Sequence, residues 1–219
     1  MNKETRYLEF EIRAERTEEK GSMITGQPIV FNQVTDLGGG IRETIDAGSL
    51  DHTDLRDVRF LVGHDFSMVP LARSRNNNEN STMQLMVNDE GMGIRVNLDT
   101  EGNPRAAELY SAIKRGDITG MSFAFTVDED SWEGLDTESP LRHVRSIGRV
   151  FEVSAVAFPA YEGTTIQAAS EGDALESVRA SLDSARAQLE EDRAAQAEQK
   201  RRTALLERLK KITEVSDDV

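Results

Sequence analysis

The chain of 219 residues contains no cysteine, which excludes a disulfide scaffold, a thiolate zinc site and a cysteine nucleophile together. It has no apolar run approaching the roughly 20 residues of a membrane-spanning helix, and the segment from Met1 to Arg13 is charged throughout, unlike a signal peptide. These absences predict a soluble protein of a reducing, cytosol-like compartment. An excess of positive charge is missing as well. Forty acidic against 26 basic residues give a formal charge of −14, the wrong sign for a nucleic-acid binder that works through phosphate attraction. There are only three histidines, His52, His64 and His143; they lack metal-ligand spacing and no HExxH pattern occurs, so neither a metal nor another cofactor is expected. Gly38-Gly39-Gly40 lacks the lysine and helix start of a phosphate loop.

What is present reads as one β-rich body followed by a helical tail. A hydrophobic fraction of 37% can fill one core but not several. Strands are predicted from Tyr7 to Ile12, Met23 to Phe31, Arg59 to His64, Thr119 to Val127 and Arg145 to Phe158, the last closed by Pro159. Met83 to Val87 and Gly93 to Leu98, joined by Asn88-Asp89-Glu90-Gly91, form a predicted hairpin. The Arg73 to Ser81 segment reads as a polar turn, Ala47 to Leu50 as a short helix or turn, and Asp128 to Ser139, which holds the single tryptophan Trp132, as an acidic loop. One helix interrupts this region: Asn103-Pro104 supplies a cap and first-turn proline, Ala107, Leu109, Tyr110 and Ile113 have helical spacing, and Gly116 ends it. Six or more short strands with one internal helix predict a compact barrel or sandwich.

Three residue types suited to hydroxyl chemistry occur in strand-like settings. His64 ends an apolar strand, Ser122 lies within Gly120-Met121-Ser122-Phe123-Ala124-Phe125, and Glu152 interrupts the run Val150-Phe151-Glu152-Val153-Ser154-Ala155-Val156. A serine hydroxyl becomes a useful nucleophile when an imidazole takes its proton and a third group fixes that imidazole. Each also has a plain structural reading. The imidazole can be satisfied by backbone groups, and the serine can be a small core residue. A carboxylate in an apolar strand faces solvent at an edge or has a partner that offsets its desolvation. Alternation places Glu152 and Ser154 on one face, with Phe151, Val153 and Ala155 on the other. The GxSxG elbow of α/β hydrolases is absent, because alanine follows at position 124 and no βαβ alternation surrounds Ser122.

Three blocks resemble the prohead (capsid maturation) serine proteases of tailed phages. They are Gly63-His64-Asp65 with Pro70-Leu71-Ala72-Arg73, Arg115 to Phe125, and Phe151 to Tyr161, in the same order and spacing over roughly residues 5 to 165. The resemblance implies a serine endopeptidase related in fold to the herpesvirus assemblins: a β-rich α+β protein with a β barrel and surrounding helices. It makes His64 the general base, Ser122 the nucleophile and Glu152 the third member, with His143 and Asp65 as rivals for that last place. It points to the backbone around Arg145 to Gly148 for the oxyanion donors. Ala72 and Ala124 stand where the family often has glycine. The implied partners are the major capsid protein with its scaffolding segment, or a separate scaffold, which the enzyme cleaves inside the procapsid in the host cytoplasm, along with itself. Neither nucleic acid nor membrane is an expected partner.

Residues 171–219 contain no proline and a single glycine, Gly172, and are rich in alanine, glutamate, glutamine, arginine and leucine, so they are predicted to be helical. The domain division is therefore 1–170, protease, and 171–219, a charged helical tail that binds a scaffold or other partner. Leu175, Leu182 and Leu189 recur at heptad spacing, and a second apolar patch follows at Leu205, Leu206, Leu209 and Ile212, a pattern suited to a partner helix or to self-association. Two other readings stay open at this stage. One is a catalytically silent capsid assembly or scaffolding protein; the other is an esterase on a β framework, which needs a compact acyl pocket in place of a peptide groove.

Overall fold

The computed structural model describes residues 3–8, 12–17, 21–157 and 171–216. They form two compact units, Met1–Ser177 and Val178–Val219. The first is sheet-rich α+β. Its strands are β1 (Lys3–Leu8), β2 (Ile12–Thr17), β3 (Gly21–Val30), β4 (Thr35–Asp36), β5 (Arg42–Ile45), β6 (Asp57–Val62), β7 (Ala72–Arg75), β8 (Met83–Asn88), β9 (Gly91–Leu98), β10 (Gly120–Glu133) and β11 (Leu141–Val156). Helix α1 (Pro104–Arg115) falls between β9 and β10, and α2 (Glu171–Ser216) follows β11.

The larger sheet runs β1-β10-β11-β5-β4, with β6 pairing the far end of β11 and carrying β7; the smaller runs β2-β3-β9-β8. Strand pairing among the described residues does not close either sheet into a barrel. Both sheets and α1 contribute to a single core. Ile24, Ile94 and Val96 come from the smaller sheet, Phe123, Phe125, Val150 and Val153 from the larger, and Ala106, Leu109 and Ile113 from the helix. Phe123 and Phe125 point the same way because side chains alternate along a strand, and their rings stack with centroids 4.8 Å apart. Burying each is worth roughly 1.5–3 kcal/mol, which fixes the face that β10 turns inward. Ser122 and Ala124 are thereby committed to the opposite face.

Local sequence signals account for much of this. The Asn103 side chain accepts from the Arg105 N–H at the start of α1, Pro104 occupies the first turn, and Gly116 ends the helix in the left-handed conformation. The hairpin β8–β9 forms where predicted. Gly91 is required there, since at φ +144° a Cβ would lie 2.0 Å from the Ile29 carbonyl oxygen. Residues 47–50 form a turn.

Two segments differ from expectation. Arg73 to Arg75 belong to β7, and the turn is confined to the asparagine-rich residues after them. The expected acidic loop is largely strand: β10 runs through Trp132 to Glu133, because β11 begins at Leu141 and pairs with it to the end. Cross-strand partners such as Arg142 with Asp130 override the weak strand preference of acidic residues. Residues 9–11 of the first predicted strand, and Phe158, Pro159 and Tyr161 of the last block, lie outside the described residues. So do the side chains of Leu209 and Ile212. The part of α2 in the second unit is helical as composition predicts, with Leu205 and Leu206 exposed. Among the described residues no helix is long and apolar enough to cross a membrane.

Candidate active site

The site is built on the C-terminal half of β11, flanked by β10 on one side and β6 on the other. Ser122 of β10 lies directly opposite Ser154, and Ala124 directly opposite Glu152; β6 runs parallel to the same stretch, with Leu61 beside Ser154. Glu152 is thus on an interior strand and fully buried, which removes the solvent-facing edge as an explanation for it. The small side chain of Ala124 leaves room across from the carboxylate. Between Glu152 and Val150 the ladder slips, leaving Phe151 without an opposite number. This bulge breaks the expected alternation: Val153 and Ala155 are in the core, whereas Phe151 is half-exposed.

His64 reaches the site through a tight turn. The Gly63 N–H continues the sheet by donating to the Ala155 carbonyl at 3.0 Å, and the Asp65 N–H donates to the Val62 carbonyl at 3.3 Å. Gly63 and His64 both have φ +60°, the signature of a type I′ turn over residues 62–65. Glycine adopts that conformation freely; for His64 it costs on the order of 1–2 kcal/mol. The strained turn folds the imidazole back over β11, where Nδ1 lies 2.6 Å from Glu152 Oε1. A carboxylate offers only acceptor oxygens, so this contact assigns the ring proton to Nδ1 and leaves Nε2 as the acceptor nitrogen of the neutral ring.

Ser154 joins both partners. Its hydroxyl donates to the other carboxylate oxygen, Glu152 Oε2, at 2.5 Å, and accepts from the His64 backbone N–H at 3.1 Å. Ser122 has the same cross-strand position but a different bond. Its hydroxyl, fully buried, donates to the Arg6 carbonyl of β1 at 2.6 Å. The structure thus brings His64 and Glu152 into contact and sets Ser122 across one ladder rung from Ser154, with its hydroxyl turned toward β1. Lys3 of β1 is also close: its ammonium lies 3.5 Å from the centroid of the Phe66 ring. Burial lowers the Lys3 pKa from its ordinary value, opposed by the nearby Glu152 charge.

The two rivals of Glu152 are engaged elsewhere. Asp65, exposed, accepts from both the N–H and the hydroxyl of Ser67, and these bonds hold its pKa below the ordinary value. His143 contacts Asp46 at 3.0 Å and lies nine residues before Glu152 on β11. Arg145 to Gly148 lie in β11 itself, and the Ile147 N–H is bonded to the Ser49 carbonyl. Sequence reasoning missed Ser154 and the Arg6 carbonyl. The first had a signal, its i+2 relation to Glu152 on one strand face; the second had none, since the β1–β10 pairing joins residues more than 100 positions apart.

An acid and a hydroxyl carried on neighbouring strands, with an imidazole from the turn after the next strand, are the side chains from which serine hydrolases are built. The chain belongs to the caudovirus prohead serine protease family, whose model matches residues 8–177. It is similar to the prohead protease of Enterobacteria phage HK97, with 30% identity over 95 residues. That match covers 43% of this chain and 40% of the relative, so the chain spans less than half of the curated relative it matches. No solved structure gives a significant match.

Proposed function

We propose that the protein is a serine endopeptidase of phage capsid maturation, with Ser122 as nucleophile, His64 as general base and Glu152 as the group that orients and electrostatically supports the imidazole. The observation that carries this reading is the 2.6 Å contact between His64 Nδ1 and a fully buried Glu152, in a chain of this family. A buried carboxylate has a large desolvation cost, and here its partners are an imidazole and a hydroxyl in place of a permanent cation. In the reaction, the Ser122 hydroxyl exchanges the Arg6 carbonyl for His64 Nε2 as its acceptor. Ser122 Oγ attacks the peptide carbonyl as its proton passes to Nε2, and the imidazolium, supported by Glu152, then gives that proton to the leaving amine. Water repeats the sequence to release the acyl group.

The substrates in this reading are the scaffolding segment of the major capsid protein or a separate scaffold, cleaved inside the procapsid in the host cytoplasm, and the protease itself. The fold in this reading is a herpesvirus-protease-like barrel, supported by two sheets and a helix about one core. The tail of residues 171–219 docks on a helical partner or on a second copy, consistent with the exposed Leu205 and Leu206 beside basic residues. Coexpression of the chain with its capsid protein, beside Ser122→Ala, tests the activity: processing lost in the variant with assembly retained supports it, and equal processing by both overturns it.

A second reading, a catalytically silent assembly protein, is favoured by one observation, the Ser122 hydroxyl bonded to Arg6 and not to His64. A serine-directed fluorophosphonate probe separates the two. Labelling that disappears in Ser122→Ala belongs to the protease, and no labelling belongs to the silent protein.

A further inference from the structure

The geometry points to Ser154 as a positioning residue of the reaction, a hydroxyl that holds both the base and its carboxylate partner; this rests on the His64–Glu152 reading above. A carboxylate has two oxygens, and the imidazole uses one. The other, if left in a buried site without a donor, would carry an uncompensated desolvation cost and would be free to pivot. Ser154 is fully buried, and its 2.5 Å bond to Glu152 Oε2 fixes the carboxylate plane so that Oε1 faces Nδ1. The Ser154 hydroxyl oxygen also accepts the His64 backbone N–H at 3.1 Å. That second bond ties down a residue in the left-handed region, at the point where the turn departs from the sheet. One hydroxyl therefore restrains the carboxylate and the backbone of the base simultaneously.

The alternatives for Ser154 are a nucleophile or an inert core serine. As a nucleophile it would have to give up its bonds to the carboxylate that orients the imidazole and to the main-chain N–H of the base, whereas Ser122 has only a neutral carbonyl to leave. As an inert serine it would satisfy itself on a main-chain carbonyl without touching the imidazole–carboxylate pair, whereas Ser154 bonds both members of that pair. Because the bond is charge-assisted and the hydroxyl touches no reacting atom, its effect falls on imidazole placement, which is needed in the transition state and not for substrate binding.

The test compares Ser154→Ala and Ser154→Thr with the full-length protein on a peptide substrate, with Ser122→Ala and Glu152→Gln as controls. Proton NMR follows the low-field imidazole Nδ1–H signal, assigned by its loss in His64→Ala. Expected are a fall in kcat of about 10–100-fold for Ser154→Ala with KM within twofold, a shifted or exchange-broadened Nδ1–H signal, and recovery of both in Ser154→Thr, which keeps the hydroxyl. Where the alanine variant does not fold, Ser154→Cys serves, since it keeps nearly the same volume with a weak donor. A kcat within twofold of the parent overturns the proposal, as does a loss of activity that follows thermal stability while the Nδ1–H signal stays in place. Full activity in Ser122→Ala or Glu152→Gln would overturn the underlying protease reading instead, and is thereby distinguished.

Discussion

The larger sheet buries carboxylates in two places and satisfies them in opposite ways. Around Glu152 the donors are an imidazole and a serine hydroxyl. At the other end of β11, Glu4 and Glu43 meet Arg6 and Arg142: Arg6 bonds Glu43 through two nitrogens and also contacts Glu4, while Arg142 reaches Glu4 at 2.7 Å, Glu43 at 3.1 Å and Asp130 at 2.6 Å. All four of the first-named residues are 5% exposed or less. Burial works to raise the Glu4 pKa, but Arg6 and Arg142 outweigh it and hold the group below the ordinary carboxylate value. Burial likewise works against the Arg6 charge, and Glu43 and Glu4 overcome it, so its pKa is raised. Permanent cations make the second cluster inert and rigid; the imidazole at the first can accept and release a proton. Arg6 spans both, with its guanidinium in the cluster and its carbonyl on the Ser122 hydroxyl.

The largest expected effect separates the two regions by function. Glu152→Gln keeps the shape of the side chain but removes the negative charge that supports the imidazolium and replaces one of the two acceptor oxygens by a donor, so kcat should fall by about 10³–10⁴-fold with the fold retained, as read by peptide cleavage and circular dichroism. Cleavage within a few fold of the parent would remove Glu152 from the mechanism. Arg142→Ala should do the converse. It leaves two buried carboxylates short of a partner, a loss of about 3–5 kcal/mol in urea unfolding. A destabilisation under 1 kcal/mol would show the cluster to be slack, and the contrast between the regions would collapse.

Acid sharpens the same contrast. Glu4 is held below its unfolded pKa, so its contribution to stability is complete above that value, near 4.3, and is lost as pH falls through the lower folded value. The urea midpoint should therefore decline below about pH 4, and the decline should be shallower in Glu4→Gln, which has no carboxyl to protonate there. Identical acid limbs for the two proteins would assign the acid sensitivity to other groups.

How much of this was legible in the sequence follows from the range of each interaction. Helix α1 was readable because Asn103, Pro104 and Gly116 act within a turn of their own positions. The same holds for the β8–β9 hairpin. His64 and Glu152 stood out through local anomaly, a histidine after an apolar strand and a carboxylate within one. Their contact depends on parallel pairing of β6 and β11, residues about 90 positions apart, and became an expectation only through family resemblance. The Asp128 to Glu133 strand was invisible because it depends on backbone pairing across the ladder and on Arg142 meeting Asp130. The bulge at Phe151 was equally hidden, since no glycine or proline marks it. The ion cluster gave no signal at all: Glu4, Arg6, Glu43 and Arg142 are each ordinary in their local sequence, and only the topology brings them together.

The smallest stability effect examines whether the site is more sensitive to backbone than the cluster is. Gly63 has φ +60° and open space around its absent Cβ, so Gly63→Ala adds no clash, only the left-handed cost of about 1–2 kcal/mol. The turn can relieve that cost by rotating toward a right-handed conformation, which swings His64 away from Glu152 Oε1. Activity should consequently drop by more than the stability loss suggests, about 10-fold or more in kcat, since a misplacement of about 1 Å can cost 100-fold. An Nδ1–H signal unchanged from the parent, together with full kcat, would mean that the Ser154 and Glu152 bonds hold the imidazole regardless of the turn, and that the strain at His64 has no part in its placement.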